Sequence, residues 1–138
     1  MKQLREAGAI IIAKTNVPQT MLSIECSNPV WGRTTNPWSK DHTCGGSSGG
    51  ESALLALSGS ALGVGTDIGG SLRIPAGYTG IYSLKPSQWR VSTSGARGET
   101  SHERCIHPYM LTPRTDPNPG FEAVVAVAGP MGRSVFNH

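Results

Sequence analysis

This 138-residue chain lacks most of the features that announce a binding function. Only 15% of its residues are charged, and 12 Lys and Arg against 9 Asp and Glu leave a net charge of +3. These charges are scattered. No Lys or Arg run interleaves with aromatics, which make up 6% of the chain, so a nucleic-acid surface is not expected. No apolar stretch approaches the roughly 20 residues needed to span a bilayer, so no membrane segment is expected. Lys2, Arg5 and Glu6 precede a short apolar run that lacks a small-residue cleavage site. Nothing here targets the chain, and a cytoplasmic protein is expected. Cysteine is equally scarce. Cys26, Cys44 and Cys105 are an odd number without CxxC spacing, which reads as reduced thiols in a reducing compartment. His102, Cys105 and His107 could be combined with Cys44, but no pair among them has structural-zinc spacing, so no metal is expected.

Glycine and proline are what the chain has in abundance, 18 and 10 residues. Such a composition favours short elements joined by many turns. Two stretches concentrate the glycine: Gly45-Gly46-Ser47-Ser48-Gly49-Gly50-Glu51, and Gly63-Val64-Gly65-Thr66-Asp67-Ile68-Gly69-Gly70-Ser71. Flexible Gly/Ser linkers have little to bury. Here Ala53 to Leu57, Ala61 to Val64, Ile68, Leu72 and Ile74 follow or interrupt the glycines, so both loops belong to a core. A serine beside several N–H groups aimed at one point is what acyl transfer needs, namely a nucleophile and a place for the developing oxyanion.

Along the chain, Met1 to Ala7 reads as the end of a helix with Gly8 at its stop position. Ala9 to Ala13 reads as a buried strand, left at Val17-Pro18. Residues 26–44 read as loop, with Trp31 and Trp38 packing it onto the core. A helix capped by Ser47 or Ser48 is expected over about Gly50 to Leu57, and strands over Leu62 to Gly65 and Ile81 to Leu84. After an irregular Pro-bearing stretch, Val124 to Ala128 reads as strand and Gly129-Pro130-Met131 as the opening of a helix. Strand, glycine loop and helix in alternation indicate an α/β layer arrangement.

The two glycine–serine stretches, extended through Leu72-Arg73-Ile74-Pro75-Ala76, resemble the amidase signature family of serine hydrolases. Further matches are Gly8-Ala9-Ile10, Lys14-Thr15-Asn16-Val17-Pro18, Cys26-Ser27-Asn28-Pro29, Asn36-Pro37-Trp38, Leu84-Lys85-Pro86-Ser87 and Gly129-Pro130-Met131. Around Met21 and Cys26 to Pro29 the phrasing is most similar to the fatty acid amide hydrolase and fungal acetamidase-like branch. The resemblance implies an α/β/α sandwich around a mixed β-sheet, with residues 1–138 forming part of one amidase signature domain. Residues 99–119 read as an inserted or irregular loop.

The resemblance also implies a Ser-Ser-Lys site without metal or organic cofactor, acting on a small-molecule amide. Ser71 would be the nucleophile and Ser47, held by a cis peptide bond, the serine that relays the proton. The N–H groups of Ile68, Gly69, Gly70 and Ser71 would form the oxyanion hole, with Met21 contacting substrate. Asp67, Arg73 and Ser48 would brace the loops. A homodimer is consistent with the family. The family's lysine belongs to a motif upstream of the Gly-Ala-Ile strand, and Lys14 falls at a different family position. A serine without a base is a poor nucleophile, so the chain alone is expected to be nearly inactive. The alternative is a non-catalytic truncated or pseudogene segment of an amidase.

Two other readings fail on pattern. A G-x-S-x-G elbow at Ser47 needs a strand directly before it, and residues 36–44 are polar with proline. A nucleotide loop at Gly63-Val64-Gly65 lacks the later glycine or Gly-Lys pair.

Overall fold

The computed structural model describes residues 2–88, 90–91 and 126–135. The expected insertion at 99–119 lies outside them. Helix α1 (Lys2–Glu6) ends at Gly8, whose φ of +89° is the left-handed stop that glycine tolerates. Ala9 to Ala13 then runs extended without joining a sheet, and Ile10 and Ile12 are exposed. The expected buried strand is absent because no described segment pairs with it.

Residues 26–44 are more ordered than a loop. They fold into two small antiparallel hairpins, β1 (Ser27–Asn28) with β2 (Gly32–Arg33) and β3 (Thr35–Asn36) with β4 (Ser39–Thr43). Asparagine side chains replace the apolar packing that tryptophan was expected to provide. Asn28 Oδ1 accepts the N–H groups of Val30 and Trp31, closing the first turn. Asn36 Nδ2 donates to the carbonyls of Thr43 and Tyr78. Trp31 is exposed. Trp38 is held by its indole N–H, which donates to Thr79 O at 2.8 Å, and by its backbone N–H, which donates to Asn36 Oδ1, while its ring remains largely in solvent.

Helix α2 (Gly49–Ala56) occupies the expected place. It is followed by β5 (Leu62–Asp67), helix α3 (Arg73–Thr79) and the short β6 (Tyr82–Ser83). Helix α3, which contains Pro75, is not among the expected elements. Proline fits there because it lies in the first turn, where its missing N–H would have no helical acceptor. The last strand, β7 (Val127–Gly132), runs straight through Gly129-Pro130-Met131, where a helix was expected. Strand β7 pairs antiparallel with β5 and β6, giving the order β5-β7-β6. The proline in this middle strand ends the β6 ladder: Pro130 O accepts Leu84 N–H, the next pair in register after Ser83–Met131, but Pro130 has no N–H to return to Leu84 O.

Strand β5 inverts the usual alternation. Gly63, Gly65 and Asp67 are buried, while Leu62, Val64 and Thr66 are exposed. At Gly65 the inward face has no room for a side chain: a Cβ there would lie 2.6 Å from Ser48 Oγ, 2.7 Å from Leu72 Cδ2 and 2.9 Å from Met131 Sδ. Helix α2 packs on this sheet and against α3. Leu55, Leu72 and Met131 form the fully buried core between them, with Ile81 alongside. Helix and strand thus alternate as an α/β fold. Among the described residues only one sheet face carries a helical layer, and every ladder is antiparallel; the expected α/β/α sandwich and mixed sheet are represented by that much. No helix among these residues is long and apolar enough to cross a membrane.

Gly65→Ala is expected to destabilise the fold by about 1–3 kcal/mol, because the new methyl group meets atoms on three sides of a packed core. Urea unfolding of the variant measures this; an unchanged midpoint would contradict the packing described.

Candidate active site

The two serine loops meet where β5 runs into α3 and β4 runs into α2. Their contact is specific. Ser48 N–H donates to Ser71 O at 3.1 Å, and Ser48 Oγ bonds both backbone groups of one residue, donating to Thr66 O (3.3 Å) and accepting from Thr66 N–H (3.2 Å). Ser48 is therefore the residue that joins the loops. It is also the N-cap of α2 by position, but its hydroxyl makes no capping bond to the helix. The expected side-chain cap gives way to the tie with Thr66.

Ser47 is 3% exposed, and the Gly46–Ser47 peptide bond is cis. The loop can enter this position because Gly45 takes φ +80° and lies flush on α3: a Cβ there would come within 2.8 Å of Pro75 Cα. On its other side the loop rests on the segment that follows Met21. A Cβ at Gly46 would strike Ser23 O at 2.6 Å. Met21 itself sits exposed on a 3-10 turn, Gln19–Met21.

Ser71 is half-buried at the start of the turn into α3. Before it, Ile68 and Gly69 are exposed and Gly70 is buried with φ +130°. Asp67 holds this turn from beneath. Its buried carboxylate accepts Gly70 N–H at 2.7 Å and Leu72 N–H at 3.1 Å, and it takes both Arg73 Nε (3.0 Å) and Nη2 (3.1 Å). Burial alone would raise the Asp67 pKa. The Arg73 guanidinium and the two backbone N–H groups outweigh that effect and hold the carboxyl below its ordinary value. The same pairing raises Arg73.

Of the four N–H groups expected to face an oxyanion, Gly70's is therefore turned inward to Asp67. Those of Ile68, Gly69 and Ser71 make no hydrogen bond among the described residues.

A third segment supports the loops and was missed as functional. Asn16 O accepts Gly50 N–H at 3.2 Å, and Asn16 Nδ2 reaches Gly32 O and Thr34 Oγ1. Beside it, Thr15 Oγ1 donates to Glu51 Oε2 at 2.7 Å. Segment Lys14 to Pro18 thereby fastens the start of α2 to the hairpins. The proline exit was legible in sequence, but the asparagine's reach was not. Lys14 is exposed, and among the described residues no lysine donates to Ser47 or Ser71. No cluster of three metal-ligating side chains occurs among those residues.

This geometry sits in a chain whose residues 1–137 match the amidase family profile. The chain is 55% identical over 95 residues to fatty-acid amide hydrolase 1 of Sus scrofa, which covers 69% of this chain and 16% of that protein. It is 46% identical over 104 residues to an acetamidase of Aspergillus oryzae, covering 75% of this chain and 19% of the relative. A crystal structure of an amidase superposes with a TM-score of 0.77 at 37% identity, over 99% of this chain and 26% of the other. The chain belongs to the amidase family, the serine hydrolases that its glycine–serine motifs resemble. It spans under a fifth of the length of these two relatives.

Proposed function

We propose that this chain carries the nucleophile and oxyanion side of an amide-hydrolysing site, with a small linear carboxylic amide as substrate. The observation that supports this most directly is the Ser48–Ser71 backbone bond, which joins the two serine loops beside the N–H groups of Ile68, Gly69 and Ser71. In this reading Ser71 Oγ attacks the amide carbon. Its proton passes through Ser47 to a lysine of the family's upstream motif. The carbonyl oxygen gathers charge against the three N–H groups. Collapse then expels the amine, which takes up the proton, and water releases the acid from the acyl-Ser71 ester. Metal and organic cofactor have no role in these steps. The reading includes a cytoplasmic setting, supported by the free thiols of Cys26 and Cys44.

Fluorophosphonate labelling tests this reading. The chain is compared alone and joined behind the lysine-bearing segment of the fungal acetamidase, each beside its Ser71→Ala variant. The expected label is strong only in the joined protein, maps to Ser71 and vanishes in Ser71→Ala. Label on another serine overturns the assignment of Ser71. A folded joined protein without label favours the second reading, a non-catalytic amidase segment.

A further inference from the structure

Cys26 and Cys44 take no part in the proposed amide chemistry, yet they lie together beneath the Gly45–Gly50 loop. Both are fully buried free thiols, and with Ala53 of α2 they form an apolar cluster separate from the main core. A Cβ on Gly49 would approach Cys44 Sγ to 2.8 Å and Cys26 Sγ to 3.2 Å, so both sulfurs crowd one point of this loop. Each thiol is also aimed by a carbonyl. Cys26 donates to Asn16 O at 3.2 Å and Cys44 to Thr34 O at 3.1 Å, while Thr34 N–H donates to Cys26 O at 2.9 Å.

Residues adjoining the pair along the chain reach solvent: Glu25, Thr34 and Thr43 are half-buried and Ser27 is exposed. The β1–β2 ladder beside Cys26 has only two residues on each strand. Short ladders of this kind open locally at little cost, which admits a water-sized reagent.

We propose that Cys26 and Cys44 form a dithiol modification site, oxidised by a peroxide to a disulfide and bridged by a trivalent arsenical. The two sulfurs are unequal, as a reacting pair requires. The neighbouring Cys44 side chain lowers the Cys26 thiol to about 7 despite burial, whereas Cys26, together with burial, pushes Cys44 up. Cys26 thiolate attacks hydrogen peroxide: an S–O bond forms, the O–O bond breaks, and hydroxide leaves and takes up the proton that Cys26 released. Cys44 Sγ then attacks the sulfenic sulfur, the S–S bond forms, and the S–O oxygen departs as water with the Cys44 proton. Two thiols and one peroxide yield one disulfide and two waters, with two electrons passing from sulfur to oxygen. The product ties β1 covalently to the residue that opens the Gly45–Gly50 loop.

The test reads mass and needs no turnover. The reduced full chain is treated with hydrogen peroxide, remaining thiols are blocked with iodoacetamide, and the peptides are mapped. The expected product joins the Cys26 and Cys44 peptides with loss of two hydrogens, is restored by dithiothreitol, and forms equally in Cys105→Ser. In parallel, phenylarsine oxide added to the reduced chain is retained once per chain and protects both cysteines from iodoacetamide. Cys26→Ser and Cys44→Ser each lose both results. A disulfide to Cys105, a sulfinic acid at Cys26 beside an intact Cys44 thiol, or undiminished alkylation of both cysteines after phenylarsine oxide overturns the proposal. The arsenical measurement on the unmutated chain decides even where a serine variant fails to fold.

Discussion

Ser71→Ala is expected to lower amide hydrolysis by about 10⁴-fold or more in the protein that joins this chain to the lysine-bearing motif, since losing the nucleophile of a coupled site removes nearly all of its turnover. The N–H groups of Ile68, Gly69 and Ser71 stay in place because Asp67, not the Ser71 hydroxyl, holds the turn. Substrate affinity should therefore change far less than turnover. Ser47→Ala should cost about 10²–10⁴-fold, the range for losing a proton-transfer partner. Its pattern also differs. Ser71 remains present, so slow fluorophosphonate labelling persists in Ser47→Ala and is abolished in Ser71→Ala. Single-turnover acylation of an amide measures both losses, and a rate near wild type in either variant would sink the assigned roles.

Asp67→Ala should be the most destabilising single change outside the apolar core. It strips the acceptor from two buried N–H groups, Gly70 and Leu72, and each unsatisfied donor costs about 1–3 kcal/mol. The combined loss, about 2–6 kcal/mol, is a large share of the stability of a small domain. Arg73→Ala should cost less, because Arg73 is 56% exposed on its side chain and water screens and replaces its half of the pair. The pH dependence follows from the lowered Asp67 pKa. A carboxyl held below its unfolded value stabilises fully above that value, about 3.9, and loses the contribution as pH falls through the folded one. Urea unfolding of wild type and Asp67→Ala should show a constant difference from neutral pH to about 5, then a narrowing one in acid. A difference unchanged down to pH 2 would mean that the ionised carboxylate is not what secures the turn.

The serine loops and α2 were legible because their signals are local. Glycine clusters mark backbone that must pass close to other groups, and the apolar run Ala53 to Leu57 follows the first of them, although it is Leu55 that reaches the core while Leu57 is exposed. Elsewhere the local signal pointed the wrong way. Gly129-Pro130-Met131 reads as the opening of a helix, yet Pro130 lies in the middle strand, where its carbonyl still accepts Leu84 N–H. Ile-rich Ala9 to Ala13 reads as strand, but a strand exists only where another segment completes its ladder.

By itself the sequence determined the family, the pair of serine motifs and the alternation of helix and strand, since these depend on residue identity and short spacing. Only the tertiary structure decided that Ser48 bonds Thr66 instead of capping α2, and that Gly70 N–H turns to Asp67. It alone placed Gly65 and Asp67 on the inner face of β5 with Leu62 and Val64 outside. These outcomes depend on which distant group arrives first at each polar atom. Hydrogen bonds and close contacts between remote segments carry no periodic trace along the chain.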